Sequence, residues 1–130
     1  MIKTKVLAAL NKWQRRDFNY GDADCVQFAN FIAKETTGKD YLTAFNYSSE
    51  EEAYAIIDKE GDLEDTVTAL LGESTENVSD LPDGSPVILK FPSGQLMGIK
   101  LGDEAICLTL KGFSRIPANY IAAGWKLCHR

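Results

Sequence analysis

Phe18-Asn19-Tyr20-Gly21-Asp22-Ala23-Asp24-Cys25 is the stretch that decides the fold. Gly21, Asp22 and Asp24 are turn and cap residues, and a helical pattern follows them at once. Cys25, Phe28, Ala29 and Ile32 recur on one face, and Gly38 supplies a stop. Asp22 or Asp24 is therefore the cap of a helix that carries Cys25 in its first turn. Unpaired amides and the macrodipole at a helix start favour a thiolate, and the same amides can donate to an oxyanion. The expectation is a Cys25 pKa that tends downward. Its bland counterpart is a small buried apolar side chain, the commoner role of a cysteine so placed.

The flanking sequence extends the helical half. Upstream, Leu7, Leu10 and Trp13 recur at helical spacing behind Thr4, a cap residue. Downstream, Ser48 or Ser49 followed by Glu51 and Glu52 reads as a capping box. The helix it opens turns Ala53, Ile56 and Ile57 inward and ends near Gly61. Residues 62–71, closed by Gly72, form a fourth and shorter helix. The pattern then changes to strands at Pro86-Val87-Ile88-Leu89-Lys90-Phe91, at residues 96–101, 105–110 and 113–116. Pro92-Ser93-Gly94-Gln95, Gly102-Asp103 and Lys111-Gly112 are the turns between them. Pro117 to Ala123 reads as a helical turn and Trp125 to Cys128 as a last strand. Helices followed by an antiparallel meander make an α+β domain, a single one over residues 1–130.

Composition narrows the chemistry. The 130 residues are 45% hydrophobic and 25% charged, enough for one ordinary core. A net charge of −5 argues against electrostatic nucleic-acid binding. No stretch approaches the roughly 20 apolar residues of a membrane helix, and the lysine-bearing N-terminus does not complete a signal peptide. Cys25, Cys107 and Cys128 show no Cys-x-x-Cys pairing, which fits a reduced protein of a cytoplasm. His129 is the only histidine and leaves no multi-histidine zinc site. No Gly-Lys-Ser/Thr loop or EF-hand spacing is present either, so no cofactor and no metal are expected. Residues 50–80 hold eleven acidic residues and one basic residue. They read as a solvated helical pair or, more sharply, as an acidic docking face for a basic partner.

The pattern Phe-x-Tyr-Gly-x-x-Asp-Cys-x-x-Phe, from Phe18 to Phe28, resembles the nucleophile region of the NlpC-type, papain-like cell-wall peptidases. Gly84-Ser85-Pro86-Val87-Ile88-Leu89 resembles the Gly-Asp-hydrophobic strand of that superfamily. Leu96-Met97-Gly98-Ile99-Lys100-Leu101-Gly102 is similar to its His-Val-Gly-Ile-x-Leu-Gly strand. The short Tyr20–Cys25 loop and the late Ala123-Gly124-Trp125-Lys126-Leu127 look like a phage-associated branch, encoded among tail and virion-assembly genes. The resemblance implies a papain-like fold, Cys25 as candidate nucleophile, and phage tail, other virion proteins or peptidoglycan as partners.

The departures bear on catalysis. The family's histidine position falls on Leu96, which accepts no proton, and its third polar position falls near Cys107. Val26 replaces the small serine that often follows the nucleophile. A thiol protease needs an adjacent base, and His129, near the C-terminus, is a poor one. Asp22 and Asp24 are read as caps rather than acid–base groups, and Asp24 opposes a thiolate at its neighbour. Trp13, Phe18, Tyr20, Phe28 and Phe31 are read as core. The favoured expectation is a non-catalytic phage or prophage virion or tail-assembly protein, made in the bacterial host cytoplasm. Alternatives are an active cysteine hydrolase of peptidoglycan peptides and a small acidic immunity or inhibitor protein.

Overall fold

Four helices precede five strands in the computed structural model, which describes residues 2–13, 24–41, 47–109 and 112–127. The helices are α1 (Ile2–Trp13), α2 (Cys25–Thr37), α3 (Glu50–Glu60) and α4 (Leu63–Leu71). Each of the last three begins at a side-chain cap that satisfies an otherwise unpaired amide. Asp24 Oδ1 accepts from Gln27 N at 2.8 Å, Ser49 Oγ from Glu52 N at 3.1 Å, and Asp62 Oδ1 from Asp65 N at 2.8 Å. The Glu52 carboxylate reaches back to Ser48, accepting from its backbone N–H at 3.3 Å. Gly38 closes α2 at φ 80°, a left-handed cap that a Cβ would strain.

Two expectations for α1 need correction. Thr4 lies inside the helix rather than at its cap, since α1 already runs from Ile2. Leu7 is 49% exposed, and the inward face is Val6, Ala9 and Trp13, with Leu10 packed at its margin. Both Leu7 and Val6 fit a helical period, but only the Val6 stripe continues through Ala9 and Trp13 onto α2. There Trp13 meets Phe28 edge-on at 5.8 Å and Phe31 at 5.4 Å. Phe18 and Tyr20 lie outside the described residues.

The sheet consists of β1 (Pro86–Phe91), β2 (Gly94–Leu101), β3 (Glu104–Thr109), β4 (Gly112–Pro117) and β5 (Ile121–Gly124). Its order is β4-β3-β2-β1-β5, antiparallel throughout, so β5 returns past the meander to pair with β1. In the β1–β2 register Leu89 faces Leu96 and Ile88 faces Met97. Strand alternation then divides the apolar side chains between two faces. Ile88, Met97, Ile99, Ile106 and Leu108 pack under α1, α2 and α4 in the main core. Burying each of these side chains stabilises the fold by about 1.5–3 kcal/mol. Val87, Leu89, Ala105, Cys107 and Ile121 form a smaller cluster on the other face, with Leu81 packed against them.

The C-terminal expectation also shifts. The helical turn is short, Ala118–Tyr120, and the last strand is Ile121–Gly124 rather than Trp125 to Cys128. Gly124 explains the displacement. A Cβ there would lie 2.4 Å from Leu81 Cδ1 and 3.2 Å from the Pro86 carbonyl, so the glycine lets this strand lie close against β1 under Leu81. Trp125 still donates its backbone N–H to the Pro86 carbonyl of β1 at 3.0 Å, and its side chain is buried with the indole N–H donating to the Gly72 carbonyl at 2.9 Å. Cys128 lies outside the described residues.

Candidate functional site: a cleft at the head of the cysteine helix

Cys25 is the first residue of α2, directly after the Asp24 cap. It is half-buried, with its sulfur enclosed against β2, where the Met97 backbone hydrogen-bonds the thiol. The helix start was expected to lower this pKa, yet it is pushed up to about 12. Burial is the main cause, and the Asp24 and Cys107 charges add to it. Hydrogen bonds from the Met97 and Val26 backbone act the other way without prevailing. Desolvation of a thiolate outweighs the field of one helix end.

Asp24 is itself held on both oxygens. Oδ1 caps α2, and Oδ2 accepts a hydrogen bond from the Tyr47 hydroxyl at 2.5 Å. Burial, then the Asp24 charge, raises the Tyr47 pKa above that of an ordinary tyrosine. Tyr47 therefore serves Asp24 as a neutral donor. Its role was not legible in the sequence, because 23 residues separate the pair and nothing local marks the contact.

In front of Cys25 lies a cleft of about 640 Å³. Its apolar surface includes Val26, Ile57, Leu63, Leu96 and Leu108. Leu96, the position matched to the family's histidine, borders the same cleft and packs on the Leu89–Cys107 side of the sheet. Cys107, near which the resemblance puts the third polar position, is fully buried, and burial pushes its thiol up to about 11. His129 and Asp22 lie outside the described residues. Among the described residues no three His, Cys, Asp or Glu side chains converge as a metal site would require.

The opposite rim comes from the acidic segment. Tyr54, Asp58 and Asp62 border the cleft from α3 and the α3–α4 junction. Gln95, in the β1–β2 hairpin, ties this rim to the sheet. Its Oε1 accepts from Glu64 N at 3.1 Å, and its Nε2 donates to Asp62 Oδ2 at 3.2 Å. Lys90 pairs with Glu64 at 3.4 Å beside them. The acidic segment is thus more than a solvated pair of helices. Ala53, Leu63 and Val67 are buried, and part of its polar face walls the cysteine cleft. The four-residue spacing of Tyr54 and Asp58 within α3 was the available signal for their shared face, whereas Asp62 joins the rim as the cap of α4.

Chemically, the arrangement presents a neutral, enclosed thiol beside an aliphatic wall and a carboxylate rim. No helix among the described residues is long and apolar enough to cross a membrane. No curated protein matches the sequence. Residues 2–127, nearly the entire chain, match the family described as a domain of unknown function, DUF6950, and the chain belongs to that family.

Proposed function

We propose that this chain is a non-catalytic virion or tail-assembly protein of a phage or prophage, built on a degenerate papain-like, NlpC-type scaffold. Its Cys25 cleft is a docking surface. The observation that carries the non-catalytic reading is the state of Cys25 itself. Burial raises its pKa well above that of a free thiol, so the neutral form prevails at neutral pH. The strand beside it offers the thiol only the Met97 backbone, and Leu96, which borders the cleft, carries no group that could act as a base. The α+β order of helices and antiparallel sheet supports the scaffold assignment, and the sequence resemblance supports the virion context.

One observation favours an active cysteine hydrolase as a second reading: Cys25 stands at a helix start on an open cleft. Purified chain incubated with muropeptides separates the two. A docking protein leaves them intact at every pH, whereas cleavage abolished by Cys25→Ala would establish the hydrolase. For the assembly role, the chain is expected in purified particles or assembly intermediates. Its absence from both would remove that role.

A further inference from the structure

We propose that the cleft recognises a basic segment of a partner protein, seating a lysine or arginine between Tyr54 and Asp58 and a neighbouring aliphatic side chain against Ile57. The proposal deepens the docking reading and rests on it. Two features that are far apart in sequence meet here, the cysteine helix and the acidic segment.

The rim has the chemistry of a cation site. Tyr54 is 53% exposed and precedes Asp58 by one helical turn, so both side chains lie on one face of α3. Asp58 is exposed and has no hydrogen-bond or ion-pair partner among the described residues. An aromatic face beside an uncommitted carboxylate suits a lysine or arginine head group. Asp62, past the end of α3 as the cap of α4, is already oriented by its bonds from Asp65 N and Gln95 and extends the negative rim. No lysine or arginine is among the described residues that line the cleft. An acidic segment would meet the carboxylates of Asp58 and Asp62, and a basic one would be drawn in.

The floor explains why a bare cation is not enough. Ile57 presents half-buried apolar surface beside the rim, backed by the buried Leu63 and Leu108, and burying an aliphatic side chain against it adds affinity that salt does not screen. The combination suits a chain segment with alternating basic and aliphatic residues. It fits neither a metal ion nor a nucleic-acid backbone.

The test selects binders from a random peptide library on the full chain and measures them by fluorescence anisotropy. The expected peptides carry Lys or Arg next to Leu, Ile or Val. Asp58→Lys should weaken them roughly fivefold or more, and Tyr54→Ser in the same direction. Glu51→Lys makes the same charge change outside the cleft lining and should stay within about twofold, while circular dichroism confirms the fold of every variant. Equal weakening by Asp58→Lys and Glu51→Lys would overturn the proposal in favour of diffuse attraction. Peptides lost with Ile57→Ser yet free of Lys and Arg would overturn it while leaving the docking cleft standing. A selection that yields no cleft-directed peptide would remove both. A dimer of the full chain broken by Asp58→Lys would make the occupant a second copy and overturn the assignment to a separate partner.

Discussion

The Cys25 thiol rests on the backbone of Met97, so a peptide group of β2 stands against the sulfur, with Leu96 as the preceding residue. This relationship sets the character of the cleft. A backbone hydrogen bond steadies the sulfur but cannot take up a proton and return it. With the sulfur enclosed by protein and Asp24 next to it, the neutral thiol is the stable form.

The first consequence concerns alkaline stability. Cys25 is raised to about 12 and Cys107 to about 11, both above the value of a thiol in an unfolded chain. Below about pH 8.5 both states hold the proton and stability is unaffected. Above that, the unfolded chain releases protons that the fold retains, so stability falls as pH rises toward 11 and 12. Each retained proton contributes a slope of up to about 1.4 kcal/mol per pH unit. Urea unfolding measured from neutral to alkaline pH is expected to show a shallower decline for Cys25→Ala than for the unaltered chain.

Asp24 offers a way to separate cap from charge. Asp24→Asn keeps a side-chain oxygen for Gln27 N and should change stability by less than about 1 kcal/mol. Asp24→Ala removes the acceptor of both Gln27 N and the Tyr47 hydroxyl, and should cost about 1–3 kcal/mol. Because the Asp24 charge raises the Cys25 pKa, Asp24→Asn should also move the onset of thiol alkylation to lower pH. Denaturant curves and alkylation rates of the two variants check both statements.

Leu96 tests the family correspondence. If position 96 is where a papain-like relative carries its base, Leu96→His puts an imidazole at the border of the cleft, from which it can turn toward Cys25. A thiolate–imidazolium pair would lower the apparent thiol pKa by about one to three units. Alkylation of Leu96→His at neutral pH should then exceed that of the unaltered chain at least roughly tenfold. An unchanged rate in a folded variant would break the correspondence.

Gly98 tests the packing behind the cleft. A Cβ at this position would lie 2.6 Å from the Ile106 carbonyl oxygen and 3.2 Å from Cys107 Cβ. The first of these is backbone in the paired strand β3 and cannot swing aside. Gly98→Ala is therefore expected to destabilise the fold by about 2 kcal/mol or more, read from chemical denaturation.

Much of this fold is written locally. The Asp24 and Gly38 caps bracket α2, Gly72 closes α4, and the run Pro86–Phe91 is β1 to the residue. Such signals lie within a few residues of the element they define. The misplacements arose where tertiary contact decided. Leu7 and Val6 satisfy the same helical period, and only the neighbouring α2 selects Val6 for burial. Trp125 has a strand-like side chain, but its indole is drawn to Gly72 in another part of the chain. The site followed the same division. Cys25 and its cap could be read directly. The raised pKa came from enclosure by β2, and the Tyr54–Asp58–Asp62 rim was brought to the cysteine only by the packing of α3 and α4. No local pattern encodes either distance.

The most direct measurement of whether the cleft docks or cleaves is the rate of iodoacetamide alkylation at Cys25, resolved by peptide mass analysis from about pH 6 to about pH 11. For a neutral, enclosed thiol with a pKa near 12, the rate rises across the whole range without a plateau. It also stays below that of free cysteine at neutral pH. A plateau reached at or below about pH 7, with Cys25 labelled faster than free cysteine, would reveal an activated thiolate and contradict the docking function.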